Sequence, residues 1–220
     1  MKKIISLAVC FVMPFVLMGG AKTAEDTPPT TSAQAFVLYC PDNNTVICSK
    51  NADEKMKPAS TTKIMTSLIT LEEAASCNSE VIFKQEMVAE GSSMYLKVGE
   101  KVRLSDLASG MMMASGNDAA NAAAYTISGS PEKFSQRMNE KAEQIGMTNT
   151  HFVTPSGLDD DNHYSSAKDM ALLMSYALEN DDFANLTAKK SVTVEFLEPK
   201  SKKTAYANHN RLLSLYPYCT

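Results

Sequence analysis

The stretch PASTTKIMTSL, residues 58–68, places Ser60 at the start of a run with helical spacing and Lys63 three positions later. Apolar residues continue at helical intervals as far as Leu71, which predicts a helix from Ser60 to about Ala75 with one buried face. Because positions i and i+3 share a helix face, Ser60 and Lys63 would lie side by side. A serine hydroxyl needs a base to act as a nucleophile, and a lysine that loses its proton can be that base. The stretch therefore predicts a nucleophile and its base on one helix face.

The same S-x-x-K spacing occurs twice more, so the motif proves little by itself. Ser130 precedes Lys133, and Ser165 precedes Lys168. Both serines stand where helices are predicted to start, and we interpret them as helix-start residues followed by solvated lysines. The pair at Ser60 therefore needs support from elsewhere in the chain.

A second candidate is the S-x-N pattern of Ser115 and Asn117, in a short glycine-containing break between two apolar helices. The hydroxyl can relay a proton, and the amide can both donate to and accept from a substrate peptide bond. A break between helices lets both side chains project into a cleft. The alternative is a helix cap, made by Ser115 or Asn117 on the helix that follows.

The flanking sequence predicts an α+β domain. Two apolar, β-branched runs separated by PDNN predict a β-hairpin over residues 35–49, and alternation in SVTVEFL predicts a late strand, with KTAYA as a second candidate. Four further helices are predicted: LSDLASGMMMA, DAANAAAYTIS, a helix between Pro131 and Gly146, and MALLMSYAL behind a capping box from Ser166 to Asp169. We expect early and late strands to share one antiparallel sheet across this helical layer.

The N-terminal segment has the layout of a secretory signal peptide. Residues 1–21 combine two lysines, a short apolar core and small residues before a cleavage point near Ala21. An uncleaved membrane anchor is the alternative. Residues 22–33 are rich in Thr and Pro and predict a linker, so the folded domain is expected to span residues 34–220. We expect this domain to be exported to the cell envelope.

Charge and side-chain chemistry exclude several classes of function. The chain carries 21 basic and 25 acidic residues, and loss of the signal segment with its two lysines makes it more acidic, so nucleic acid is not an expected partner. The three histidines are widely separated and no H-E-x-x-H occurs, so we expect neither a metal site nor another cofactor. Cys40 and Cys48 flank the predicted hairpin turn, and whether they pair depends on the strand register.

Several longer stretches together resemble one enzyme family, the low-molecular-mass penicillin-binding proteins, which are serine-type D-alanyl-D-alanine carboxypeptidases of peptidase family S11. The stretches that carry the resemblance, in order, are KNADEKMKPASTTKIMTSL, GSSMYLKVGEKVRLSDLASGMMMASGNDAANAAA, MNEKAEQIGMTNTHFVTPSGLDDDNHYSSAKDMALL and NHNRLL. The resemblance runs from about Ala35 to Thr220. It implies a β-lactamase/transpeptidase-like domain, with an antiparallel sheet and a helical subdomain.

The resemblance also implies a reaction and a role for each candidate residue. Ser60 would attack the peptide carbonyl between the last two D-alanines of a peptidoglycan stem peptide, and water would then hydrolyse the acyl-enzyme. Lys63 would be the base, Ser115 would return a proton to the leaving amine, and Asn117 would hold the substrate amide. β-Lactam antibiotics would acylate the same serine. Membrane contact is expected only through the signal segment or through a C-terminal tail that this sequence lacks.

The family's active-site set is S-x-x-K, S-x-N and K-T-G, and the third motif is missing here. KTA occurs at residues 203–205 but precedes the NHNRLL stretch, so we interpret it as a coincidence. Our hypothesis is a truncated carboxypeptidase whose late sheet strands are missing, which should fold poorly or expose an apolar face. The alternative function is a non-catalytic relative that acts as a cell-wall-binding or interaction protein. A β-lactamase is disfavoured because no E-x-x-L-N occurs.

Overall fold

Seven α-helices and six short strands make up residues 30–216, the part of the chain that the computed structural model of the protein describes. The helices are α1 (Lys63–Ser76), α2 (Leu104–Ala114), α3 (Asn117–Ser128), α4 (Pro131–Ile145), α5 (Ala167–Leu178), α6 (Asp181–Thr187) and α7 (Leu212–Leu215). The strands are β1 (Phe36–Cys40), β2 (Thr45–Lys50), β3 (Glu80–Ile82), β4 (Lys101–Arg103), β5 (Ser191–Glu195) and β6 (Lys203–Ala207). The predicted signal peptide, residues 1–21, lies outside the described residues. No helix within residues 30–216 is long and apolar enough to cross a membrane.

Helix α1 is the centre of the core because every residue from Met65 to Leu71 is buried, on all sides of the helix. Its residues Met65, Leu68 and Ile69 are completely buried, and the helix packs against α2, α3 and α5. Helix α3 carries five buried alanines, whose small side chains let it approach its neighbours closely. This close packing fixes the start of α3 relative to the start of α1, where the candidate residues lie.

The helix ends follow capping residues that the sequence predicted. Ser130 Oγ accepts a hydrogen bond from the backbone N–H of Lys133 at the start of α4, and Ser166 Oγ caps α5 in the same way. Gly146 ends α4 with φ of +89°, a left-handed conformation that glycine adopts without strain. The five predicted helices are confirmed. Helix α6, which is capped by Asn180, was not predicted from the sequence.

The strands form three separate antiparallel pairs, β1–β2, β3–β4 and β5–β6. The predicted α+β class is confirmed, and so is the early hairpin. The expectation that early and late strands share one sheet is not met within the described part of the chain. The reason is where each hairpin packs: β1–β2 lies against α5, whereas β5–β6 lies against α2.

The register of the first hairpin decides whether its cysteines can pair. Cys48 lies opposite Leu38 and Cys40 lies opposite Thr45, with a bulge between the two positions. The cysteines are therefore diagonal neighbours, for which a separation of about 7–8 Å is usual, whereas the Cα atoms of a disulfide lie about 4.4–6.8 Å apart. Both cysteines are free thiols, as is Cys77.

Candidate active site

Ser60 lies in a 3-10 turn, Ala59–Thr62, that runs directly into α1 at Lys63. The sequence predicted Ser60 in the first turn of the α-helix, and the structure instead tightens this turn. In a 3-10 turn the side chains at i and i+3 eclipse each other. Lys63 Nζ consequently donates a hydrogen bond to Ser60 Oγ over 3.1 Å. The turn thus brings the two side chains together more directly than an α-helical turn would.

The amine of Lys63 is buried, which changes its protonation. The residue is 2% exposed, and Nζ also donates to the carbonyl oxygen of Ser156 over 2.8 Å. Burial lowers the pKa of Lys63 to about 8, against the opposing attraction of the Asp118 carboxylate. About one such amine in ten is then neutral at pH 7, compared with fewer than about one in a thousand for an ordinary lysine. A neutral amine at this distance can accept the serine proton.

Burial distinguishes Lys63 from the other lysines in similar motifs. Lys133 and Lys168, which complete the two other S-x-x-K patterns, are exposed. Lys203 of the KTA string is also exposed and forms an ion pair with Glu195 on the neighbouring strand. Water solvates an exposed ammonium and stabilises its charge. Of these four lysines, Lys63 is the one whose surroundings favour the neutral form.

The loop of residues 153–158 forms the wall beside this pair. The carbonyl oxygen of Ser156 accepts the hydrogen bond from Lys63, and the carbonyl oxygen of Pro155 accepts one from Thr66 Oγ1 over 2.6 Å. Both donors project from α1, so consecutive carbonyl groups of the loop are fixed against consecutive turns of the helix. The loop therefore sets the direction in which the Lys63 amine points.

Replacing Gly157 with alanine is expected to destabilise the protein and to displace this loop. Gly157 has φ of +82°, and a Cβ there would overlap the carbonyl oxygen of Ala59, in the turn that carries Ser60. Left-handed backbone costs an alanine about 1–2 kcal/mol, and the overlap adds about 1–3 kcal/mol. Gly129→Ala is the matched control, since Gly129 has φ of +79° and nothing within 4 Å of the added Cβ. If the two variants lose equal free energy of unfolding in denaturant, the close approach of Gly157 to Ala59 has no role in stability.

Ser115 and Asn117 lie in the tight connection between α2 and α3. Ser115 ends α2 in a left-handed conformation with φ of +53°, and Asn117 begins α3. The backbone N–H of Asn117 donates to the carbonyl oxygen of Ser92 over 2.7 Å, and Nδ2 donates to that of Glu90 over 2.6 Å. No side chain caps the start of α3, so the helix-cap alternative for these two residues is not observed. A non-glycine residue with positive φ often marks a functional position.

Asp118, which was not predicted as a site residue, connects the start of α3 to a surface loop by hydrogen bonds. Its carboxylate is 3% exposed and accepts hydrogen bonds from the backbone N–H groups of Met94 and Leu96, over 2.8 and 3.0 Å, and from Ser93 Oγ over 2.7 Å. Between these anchors, Tyr95 has φ of +63° and is 78% exposed. The available signal was an acidic residue in the first turn of a helix, where the helix dipole favours negative charge. That signal does not reveal which groups donate hydrogen bonds to the carboxylate.

Strand β6 holds the same loop from its other side. The buried Tyr206 hydroxyl donates to the carbonyl oxygen of Met94 over 2.8 Å, and burial raises the pKa of Tyr206 to about 12. Lys202, just before β6, forms an ion pair with Glu100 over 2.7 Å. The late hairpin is therefore part of the support for the loop beside Asn117.

The two halves of the candidate site lie near each other without a direct bond. Helix α3 packs against α1, and the Asp118 carboxylate at the start of α3 raises the pKa of Lys63 by charge attraction. Within the described part of the chain, no hydrogen bond joins Ser115 or Asn117 to Ser60 or Lys63. Chemically, the arrangement offers a serine with a partly neutral base, and the helices that pack against α1 carry a second hydroxyl, of Ser115, and a side-chain amide, of Asn117.

The sequence matches known proteins along nearly its whole length. The family model described as D-alanyl-D-alanine carboxypeptidase matches residues 21–219. The D-alanyl-D-alanine carboxypeptidase DacF of Bacillus subtilis is 34% identical over 99% of this chain and 58% of its own length. The D-alanyl-D-alanine carboxypeptidase DacC of Escherichia coli is 36% identical over 90% of this chain and 52% of its own length. The chain thus spans just over half the length of these curated relatives.

Solved structures with the same fold agree with the sequence matches. A D-alanyl-D-alanine carboxypeptidase from Mycobacterium tuberculosis superposes with a TM-score of 0.81 and 31% identity, over 88% of this chain and 73% of that one. The R248L mutant of the Streptomyces K15 DD-transpeptidase superposes with a TM-score of 0.79 and 28% identity, over 86% and 79%. The predicted transpeptidase-like fold is therefore confirmed. The protein belongs to the D-alanyl-D-alanine carboxypeptidase family, peptidase S11.

Proposed function

We propose that the protein is a serine-type D-Ala-D-Ala carboxypeptidase that removes the terminal D-alanine from peptidoglycan stem peptides through an acyl-enzyme on Ser60. The observation that carries the proposal is the buried Lys63 amine, 3.1 Å from Ser60 Oγ and with its pKa lowered to about 8. The names of the relatives supply the reaction and the substrate class. β-Lactam antibiotics are proposed to acylate the same serine. No metal or cofactor takes part in this scheme.

In the acylation step, neutral Lys63 accepts the proton of Ser60 as Oγ bonds to the carbonyl carbon of the scissile peptide bond. The carbonyl oxygen of Ser156 accepts a hydrogen bond from the resulting ammonium, which compensates in part for its burial. The bond to the terminal D-alanine then breaks, and the departing amine takes a proton. We assign delivery of that proton to Ser115, which is replenished from Lys63.

Deacylation returns the enzyme to its starting state. Lys63, neutral again, accepts a proton from water as the water oxygen attacks the ester carbonyl, and Ser60 Oγ leaves with that proton. Asn117 is assigned to hold the substrate amide, in keeping with the family resemblance. Its Nδ2 bond to Glu90 fixes the orientation of the side chain before substrate arrives. The backbone N–H of Ser60 is assigned to one side of the oxyanion hole.

The proposed substrate lies outside the cytoplasm, so the protein is proposed to be exported. Residues 1–21 are assigned as the signal peptide, residues 22–33 as a linker and residues 34–220 as the transpeptidase-like domain, on the composition of these segments. Contact with the membrane is assigned to the signal segment.

Covalent labelling by a fluorescent penicillin tests the proposed function. The chain from Lys22 onward is expected to gain the mass of one penicillin, and the Ser60→Ala variant is expected to gain none. Ser130→Ala is the matched control, because it removes the serine of a second S-x-x-K pattern that caps α4. A protein that unfolds cooperatively but takes up no label would overturn the proposal and favour a non-catalytic cell-wall-binding protein.

The rate of acylation is expected to rise with pH and to level off about one pH unit above 8. Lys63 has to be neutral to accept the serine proton, and burial lowers its pKa to about 8. From about pH 6.5 the rate constant should therefore increase nearly tenfold per pH unit at first, and it should reach half of its maximum near pH 8. Stopped-flow acylation by a chromogenic cephalosporin measures this profile. A rate that stays constant across this interval would mean that another group is the base.

A further inference from the structure

A buried histidine lies behind the nucleophile, outside the proposed chemistry. His163 is 2% exposed, and its Nε2 is 2.9 Å from Thr62 Oγ1. Its Nδ1 accepts hydrogen bonds from the backbone N–H groups of Val153 and Thr154, over 3.0 and 3.2 Å. The ring also packs edge-on against Phe152, with centroids 5.7 Å apart. Every polar atom of the imidazole is thus engaged inside the protein.

These contacts define the protonation state of the ring. A backbone N–H can only donate, so Nδ1 of His163 carries a lone pair and no proton. The proton of the neutral ring is therefore on Nε2, from which it is donated to Thr62 Oγ1. A second proton, on Nδ1, would point at two N–H donors and would remove the acceptor from both.

The imidazole connects the two segments that build the nucleophile's surroundings. Thr62 belongs to the 3-10 turn of Ser60 and directly precedes Lys63. Val153 and Thr154 begin the loop whose next residues, Pro155 and Ser156, present their carbonyl oxygens to α1. A break at His163 would leave the N–H groups of Val153 and Thr154 without their acceptor, so that Val153 would be held only through its carbonyl oxygen, by Ser135 Oγ over 2.6 Å. The support for the Ser156 carbonyl, the acceptor of the Lys63 hydrogen bond, would weaken.

We infer that His163 is a positioning residue for the base: in its neutral form it fixes the 153–158 loop so that the Ser156 carbonyl orients Lys63, and protonation releases the loop. The consequence for acylation rests on the proposed function, whereas the consequence for the loop does not. Acylation would therefore require two groups to be neutral. As the pH falls, Lys63 becomes protonated first and His163 becomes protonated at a lower pH.

The charged groups around His163 determine the pH at which its ring becomes protonated. Burial lowers the pKa of His163 below 6.5, the carboxylates of Asp160 and Asp159 oppose the shift, and the nearby His151 adds to it. Asp159 is in turn paired with Lys57 over 3.8 Å. Because the folded-state pKa lies below the unfolded value, the histidine's contribution to loop order is complete above about pH 6.5 and is lost as the pH falls through the lower folded-state pKa.

Two variants of His163 distinguish the hydrogen bonds that its Nδ1 accepts from the protonation of its ring. His163→Asn places a side-chain oxygen near the position of Nδ1, where it can accept the two backbone N–H groups but cannot be protonated. His163→Phe keeps a ring and removes the acceptor. His151→Asn is the matched control, because His151 is exposed and bonds through Nδ1 to the carbonyl oxygen of Asn162 on the same segment.

The first measurement is hydrogen exchange of the Val153 and Thr154 amides by NMR between pH 5 and 8, with the His163 ring titrated in parallel. After correction for intrinsic exchange, protection in the unmodified protein is expected to fall about tenfold or more as the ring protonates. His163→Asn should keep its protection throughout, and His163→Phe should lose it at every pH. His151→Asn should lose protection on ring protonation as the unmodified protein does, with the midpoint moved slightly to higher pH because His151 lowers the His163 pKa. Protection that is unchanged in His163→Phe, or that survives ring protonation, would overturn the inference.

The second measurement is the pH profile of acylation by fluorescent penicillin. Below the His163 pKa the unmodified protein is expected to lose about a hundredfold in rate per pH unit, since two groups must then be neutral, and His163→Asn only about tenfold. Identical slopes in the two proteins would overturn the link to the base. If the unmodified protein is not acylated at any pH, the proposed function fails, while the amide exchange still decides the role of His163.

Discussion

Replacing Lys63 with methionine is expected to lower the rate of penicillin acylation by about 10²–10⁴-fold, the usual contribution of a general base. Methionine has a similar length and an unbranched chain, so it can fill the space of the lysine stem. It has no amine to accept the proton of Ser60, whose Oγ lies 3.1 Å from Nζ in the unmodified protein. Labelling kinetics at pH 8 measure the loss directly.

The same substitution is expected to make the protein more stable at pH 7. Lowering a lysine pKa from 10.5 to about 8 corresponds to a cost of about 3 kcal/mol for the buried charge at pH 7. Removing that charge leaves the Ser156 carbonyl without its donor, so the net gain is expected to be about 1–2 kcal/mol. The unmodified protein should also gain stability as the pH rises from about 8 towards 10.5, and Lys63→Met should lack this gain.

Lys133→Met is the matched control for both measurements, because Lys133 is the exposed lysine of a second S-x-x-K pattern. It is expected to change neither labelling nor denaturant unfolding by a measurable amount. The assignment of Lys63 as a buried base would be contradicted by a Lys63→Met variant that is fully labelled and is no more stable than the unmodified protein.

Replacing Asp118 with alanine is expected to cost about 3 kcal/mol or more of stability. The change removes the acceptor of three hydrogen bonds from the loop, including two backbone N–H groups, of Met94 and Leu96. Each donor left without a partner costs about 1–3 kcal/mol where it stays buried. The loss of the carboxylate also removes the attraction that raises the pKa of Lys63, so that pKa should fall further. Denaturant unfolding and NMR titration of Lys63 measure the two effects.

Asp182→Ala is the control for Asp118→Ala. Asp182 occupies the second position of α6, as Asp118 does in α3, but it is exposed. Its removal tests the contribution of an acidic residue to the first helical turn alone, which is about 0.3–1 kcal/mol. If the two substitutions lower the free energy of unfolding equally, the hydrogen bonds from Asp118 to the loop add nothing to stability.

The sequence was sufficient for features that depend on neighbouring residues. The spacing of Ser60 and Lys63 predicted their contact, and Ser130, Gly146 and Ser166 marked the helix ends. These predictions hold because helical periodicity and caps act within one or two turns. The 3-10 form of the Ser60 turn was not predicted, because its closure involves contacts with the 153–158 loop.

Contacts between distant segments were beyond the reach of sequence patterns. Nothing near Asp118 indicates that its carboxylate bonds to residues more than twenty positions earlier, and nothing near His163 indicates Thr62, which is 101 positions away. The division of the strands into separate pairs has the same origin, since it depends on which helix each hairpin packs against. Tertiary packing decides such features.

If Ser60 is the nucleophile as proposed, the distance along the chain between Lys63 and its acceptor also determines when during folding the serine could become reactive. The Ser156 carbonyl is 93 residues from Lys63. Contacts of such long range form late in folding, because the entropy of closing a long loop is lost before the contacts compensate for it. Until then the amine is solvated, with a pKa near 10.5. A newly synthesised chain would therefore carry an inert hydroxyl, and its chemistry would begin only when folding is nearly complete.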